Sequence, residues 1–121
     1  MAVRGIRGAT TCEANTEEAI LSAVKELWLE MQKKNEFVEE DLASVIFSST
    51  PDLTAAFPAA AVRSLGWESV PLFGTMEIAK PDAVKLCVRI LVHWNTQKSH
   101  KEVQHVYLKG SKVLRKDLAE N

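Results

Sequence analysis

The stretch "VRGIRGAT", residues 3–10, sets two arginines in what reads as a strand, each followed by glycine. Side chains on a strand alternate between faces, so Arg4 shares a face with Ile6 and Gly8 while Arg7 lies with Gly5 and Ala9. Arg7 therefore has almost bare backbone beside it and room for an anion to approach. Arg89 poses the same question inside "KLCVRILVHWNT", residues 85–96. There Val88, Ile90, Val92 and Trp94 alternate with Cys87, Arg89, Leu91 and His93, so both faces are mostly apolar and a central strand is expected. A guanidinium in such a place needs an acid or a ligand, because an unpaired buried charge is costly. Glu77, in "TMEIAK", is one acid that could pair with it structurally. Two arginines of this kind favour an anion site. Tyr107 alternates with His105 and could be core or a ligand-binding phenol. Arg63 and Arg115 taken alone read as ordinary surface charges.

The remaining residues exclude several chemistries. His93, His100 and His105 have no metal-ligand spacing, and neither Cys12 nor Cys87 has an identifiable base beside it. No nucleophile elbow, P-loop or dinucleotide fingerprint is present, so neither a metal nor a cofactor is expected. Cations, one acid and a phenol suit an anionic substrate handled by position and charge rather than by covalent attack.

These residues must be held by ordered elements. Thr16 or Asn15 opens a helix through "EEAILSAVKELWLEMQKK", with Glu17 and Glu18 in its first turn and Ile20, Val24, Leu27, Trp28 and Met31 as an apolar stripe. "LASVIFSST" reads as a buried strand. "TPDLTAAFPAAAVRSLGW" reads as a helix starting at Thr50-Pro51-Asp52, broken by Pro58 into two short pieces and stopped at Gly66. "ESVPLFGTMEI" is extended, with Pro71 marking an edge or bulge and Gly74 a close backbone approach. A last strand in "VQHVYL" and a turn near Gly110 precede a polar tail. Strands and helices in this order predict an α+β fold, a mixed sheet with helices on one face.

At 121 residues, one domain over 1–121 is expected. A net charge of -1 offers no overall field for nucleic acid or an anionic membrane surface. Two cysteines without CxxC spacing, and no apolar segment long enough to span a bilayer, fit a soluble cytoplasmic protein.

Taken in order, "RGIRGATT", "TPDLTAAFPAAAVR", "VPLFGTMEI", "CVRILV" and "HVYLKGSKVLRKDL" resemble the small trimeric class of bacterial chorismate mutases, over nearly the whole chain. The resemblance implies a homotrimer with a pseudo-barrel of sheets at its centre and active sites in the clefts between subunits, converting chorismate to prephenate. It implies that Arg7 holds a substrate carboxylate, Arg89 faces the ether oxygen, Glu77 binds the ring hydroxyl and Tyr107 binds the enolpyruvyl carboxylate. Phe57 and Leu114 become apolar walls, Arg63 and Arg115 stand near the entrance, and Ala59, Leu72, Phe73 and Gly74 complete the lining. The chain departs from the family pattern at Ala60, Phe73, Gly74 and Lys116, on the side that meets the ring hydroxyl. Two other readings are a trimer that hydrolyses enamines or imines, and a trimer that binds an anionic metabolite without turning it over.

Overall fold

The computed structural model describes residues 1–114. Its strands β1 (Ala2–Thr11), β2 (Leu42–Ser49), β3 (Leu72–Met76), β4 (Cys87–Thr96) and β5 (Val106–Tyr107) form one sheet in the order β3-β2-β4-β1-β5. β4 is central, antiparallel to both β1 and β2, while β3 and β5 are parallel edge strands beside β2 and β1. Helices α1 (Glu17–Asn35) and α2 (Ala59–Ser64) complete the expected α+β arrangement. No helix among the described residues is long and apolar enough to cross a membrane.

Thr16 caps α1, its hydroxyl accepting the N–H of Ala19 at 3.1 Å, and Lys33 and Lys34 occupy the last turn where the helix dipole favours cations. Ile20, Val24, Leu27, Trp28 and Met31 are all fully buried against Ile6, Val45, Phe47, Val88, Ile90 and Val92 of the sheet. The helix lies so close to β1 that a methyl group at Gly8 would overlap the Met31 sulfur. At the helix end, Trp28, Phe37, Trp67 and Trp94 meet edge to face, with ring centroids 5.1 to 6.3 Å apart, a favoured aromatic geometry. The buried Asn35 side chain both donates to Gln104 O and accepts from Gln104 N at 2.9 Å, tying α1 to the approach to β5.

The expected helix starting at Thr50 does not form, and only α2 appears from that segment. The capping groups are engaged elsewhere. Thr50 N donates to Cys87 O at 3.0 Å, Cys87 N donates to the Thr50 hydroxyl at 2.9 Å, and Asp52 accepts from Thr50 Oγ1 and from Leu86 N. The amides of Thr54 and Ala55 go to the Asn15 side chain at 2.9 and 3.0 Å. Pro58 thus stands at the start of one helix rather than between two. Gly66, with φ of 97°, ends α2 as expected. The close approach expected at Gly74 is not made within the chain, because nothing lies within 4 Å of a side chain placed there; the residue sits on an open edge strand.

Burial alone would raise the Asp52 pKa, but hydrogen bonds from Thr50 and the Leu86 amide, with Lys85 nearby, outweigh it and hold the carboxyl below its usual 3.8. A depressed folded-state pKa adds stability above the unfolded value that is lost as the acid protonates. Asp52→Asn should therefore lower Tm above about pH 5, and its gap from the unaltered protein should close below about pH 3. Thermal melts across that range check the expectation.

Candidate active site

Helices close one face of the sheet and, among the described residues, leave the other uncovered, and the strand register decides what stands there. Thr75 on β3, Ser48 on β2, Arg89 on β4, Ala9 on β1 and Tyr107 on β5 are successive cross-strand partners in one row. The next row runs through Phe73, Ile46, Leu91 and Arg7. Glu77 follows β3, donates its N–H to Ser49 O at 2.8 Å and turns its carboxylate toward Arg89, with Nε and Oε1 3.7 Å apart. Arg7, Glu77, Arg89 and Tyr107 line a common cavity of about 240 Å³ with Ala9, Ile46 and Ser48.

Arg89 is thus paired, but not desolvated as its apolar neighbours suggested. Its side chain is 46% exposed and that of Glu77 26%, because no helix among the described residues covers this face of β4. The contact runs through Nε, whereas a guanidinium carries five N–H donors in a planar fork. Arg7 is exposed beside it, and its backbone N–H donates to His105 Nδ1 at 2.9 Å. That bond makes Nδ1 the acceptor and anchors the strand at Arg7.

The other arginine of the first strand has a different task. Arg4 Nε donates to Lys98 O at 3.0 Å and Nη1 meets His100 Nε2 at 2.9 Å, bracing the connection after β4.

A second group of expected site residues lies apart from the first. Phe57, 79% exposed, lines a larger groove of about 740 Å³ with Leu21, Ala60, Gly74 and Met76. Arg63 is exposed in the last turn of α2, and Ala59 is buried in the core. Leu72 packs half-buried on that core, whereas Phe73 is 67% exposed. Leu114 is half-buried after a 3-10 turn over Lys109–Val113. Arg115 and Lys116 lie outside the described residues. Within one chain, then, the cationic cluster and the Phe57 group stand in separate cavities.

Sequence reasoning passed over Ser48 and Ile46 as site residues, and over the His105 bond to Arg7. Alternation in "SVIFSS" sets Ser48 opposite in sense to Val45 and Phe47, but only the strand pairing reveals that Arg89 is its neighbour. Among the described residues no group of three or more His, Cys, Asp or Glu could hold a metal ion.

The chain matches the family model for chorismate mutase type I over residues 3–118. It is 47% identical over 117 residues to chorismate mutase AroH of Thermus thermophilus, covering 96% of each chain. It is 42% identical over 120 residues to chorismate mutase AroH of Bacillus subtilis strain 168, covering 98% of this chain and 94% of that one. A solved structure, chorismate mutase from Clostridium thermocellum Cth-682, superposes with a TM-score of 0.89 at 45% identity, over 91% of this chain and 98% of the other.

Cys87, in the same alternating set as Arg89, is buried, and that burial pushes its thiol up to about 11 despite the nearby guanidinium. A raised pKa leaves little thiolate at neutral pH. Under mildly alkaline native conditions Cys87 should alkylate about a hundredfold more slowly than free cysteine, as measured by mass spectrometry after timed iodoacetamide labelling.

Proposed function

From the premise that the chain belongs to the type I chorismate mutase family, we propose that its charged cavity holds chorismate as a dianion, in the folded conformer that rearranges to prephenate. The protein is an isomerase of the chorismate mutase class. The rearrangement is a single pericyclic step in which the ether bond breaks as a carbon–carbon bond forms. It needs no nucleophile and no general base. What the protein must supply is restraint of the reactive geometry and stabilisation of the negative charge that grows on the ether oxygen.

The observation that carries this reading is the Arg89 guanidinium, half-exposed and held by Glu77 only through a 3.7 Å contact at Nε. The rest of its fork is directed to the ether oxygen. A preorganised donor at a developing oxyanion is worth roughly 3 kcal/mol, about two orders of magnitude in rate. Arg7, on the neighbouring strand, binds a substrate carboxylate. Glu77 accepts a hydrogen bond from the ring hydroxyl, and the Tyr107 phenol donates to the enolpyruvyl carboxylate.

The separation of the two cavities supports a site shared between copies of the chain. One subunit presents the row around Arg89, and the next supplies Phe57 as an apolar wall, with Phe73 and Gly74 nearby and Arg63 at the mouth; Leu114 supplies a second apolar wall. A head-to-tail contact of this kind closes into a ring. In a homotrimer the uncovered sheet faces line a central pseudo-barrel, which buries Ile46, Leu91 and the exposed Val3 without further helices. The match over residues 3–118 supports one such domain along the chain, and the lack of CxxC spacing at its two cysteines fits action in the reducing cytoplasm. Family membership also weighs against the enamine or imine reading.

The assay follows loss of chorismate ultraviolet absorbance, with prephenate identified by acid conversion to phenylpyruvate. Saturable conversion is expected, from a species of three chains by light scattering. Arg89→Ala should lower kcat at least about a hundredfold without loss of fold, and Arg89→Lys should fail substantially because an ammonium lacks the planar fork. Near-unchanged kcat in folded Arg89→Ala would remove Arg89 from this role.

A further inference from the structure

One hydroxyl in the charged cavity has no part in the scheme above. Ser48 lines it together with Arg89 and Glu77 and is the direct cross-strand partner of Arg89 on one side and Thr75 on the other. Since β2 lies between β3 and β4, the 3.7 Å contact between Glu77 and Arg89 bridges over β2 where Ser48 stands. A small residue there leaves that space open. Ser48 is half-buried, and its hydroxyl makes no hydrogen bond among the described residues.

The neighbours sharpen the point. Phe73 and Gly74 bring no polar side-chain atom to this end of the sheet, and Thr75 lines the other cavity. A ligand filling the cavity strips water from the Ser48 hydroxyl, and a buried hydroxyl left without a partner is costly. Arg89 and Glu77 flank it, so the ligand atoms that reach Ser48 are those lying between the groups these two side chains bind. A ligand hydroxyl can donate and accept at once, which lets one oxygen serve Glu77 and Ser48 together.

We propose that Ser48 is a further substrate-binding residue, donating a hydrogen bond to the ring hydroxyl oxygen of chorismate while Glu77 accepts one from that hydroxyl. The contact rests on the mutase reading given above. It makes the cavity selective for a ring bearing that hydroxyl. The ring hydroxyl takes part in no bond made or broken in the rearrangement and is held alike before and at the transition state, so the contact acts on binding rather than on the chemical step.

The test compares the unaltered protein, Ser48→Ala and Ser48→Thr on chorismate and on an analogue lacking the ring hydroxyl, with circular dichroism to confirm folding. On chorismate, Ser48→Ala should raise KM about tenfold with kcat nearly unchanged, and Ser48→Thr, which keeps the hydroxyl, should stay close to the unaltered KM. On the analogue, which offers the Ser48 hydroxyl no partner, Ser48→Ala should carry no penalty, its KM equal to or below that of the unaltered protein. An unchanged KM in Ser48→Ala would overturn the contact. So would an equal penalty on the analogue, which would mean that Ser48 orients Arg89 instead. No turnover of chorismate by the unaltered protein would overturn the mutase reading and the contact together.

Discussion

Close packing of α1 on the sheet, with Met31 resting where Gly8 has no side chain, decides which side of every strand is dry. Side chains alternate, so once Ile6, Val45, Phe47, Val88, Ile90 and Val92 are committed to α1, their neighbours in sequence must face the other way. Arg7, Ser48 and Arg89 are among those neighbours. The polar row is therefore a by-product of burying the apolar one, and no separate element is needed to aim it. A one-residue slip of β4 would turn Arg89 into the core and Ile90 out of it.

That constraint also explains the character of the cavity. Its charged groups come from two strands and a connection, β1, β4 and the segment after β3, with the Tyr107 phenol added from β5, and their spacing is set by the sheet rather than by flexible loops. Strand-borne groups are held by ladders on both sides, the preorganisation that electrostatic catalysis requires. Where the ladder is weakest, at the two-residue β5, a side chain substitutes for it, and His105 takes the Arg7 amide. The first strand thereby divides its arginines, one exposed at the cavity and the other a brace on Lys98 and His100.

Much of this was legible in the residues themselves. The α1 stripe, its Thr16 cap, the Gly66 stop and the central place of β4 all follow from local pattern, because periodicity and capping are written within a few positions. The segment after Thr50 was not, since its capping groups bond to Cys87 and Leu86, more than thirty positions away, and local helix signals lost to those contacts. The openness of the Arg89 face escaped for a related reason. An apolar alternation reports that a face is to be covered but not whether by its own chain or by another, and Leu91 beside Arg89 looks the same in either case. Phe57 illustrates the same limit from outside: an aromatic ring that is 79% exposed makes sense only beside something else.

The strand order has a bearing on how the molecule is made. β1 leaves the ribosome before the other four strands of the sheet, yet its partners are β4, in a register from Ala2 with Thr96 to Thr11 with Cys87, and β5 after it. For most of synthesis it has nothing to pair with, while β2 and β3 can already join each other. A lone strand in that interval is an aggregation risk, and the usual safeguard is charge and glycine in place of continuous apolar surface. "VRGIRG" supplies both, so the strand that brings Arg7 to the cavity is also guarded against pairing with the wrong partner while it is nascent.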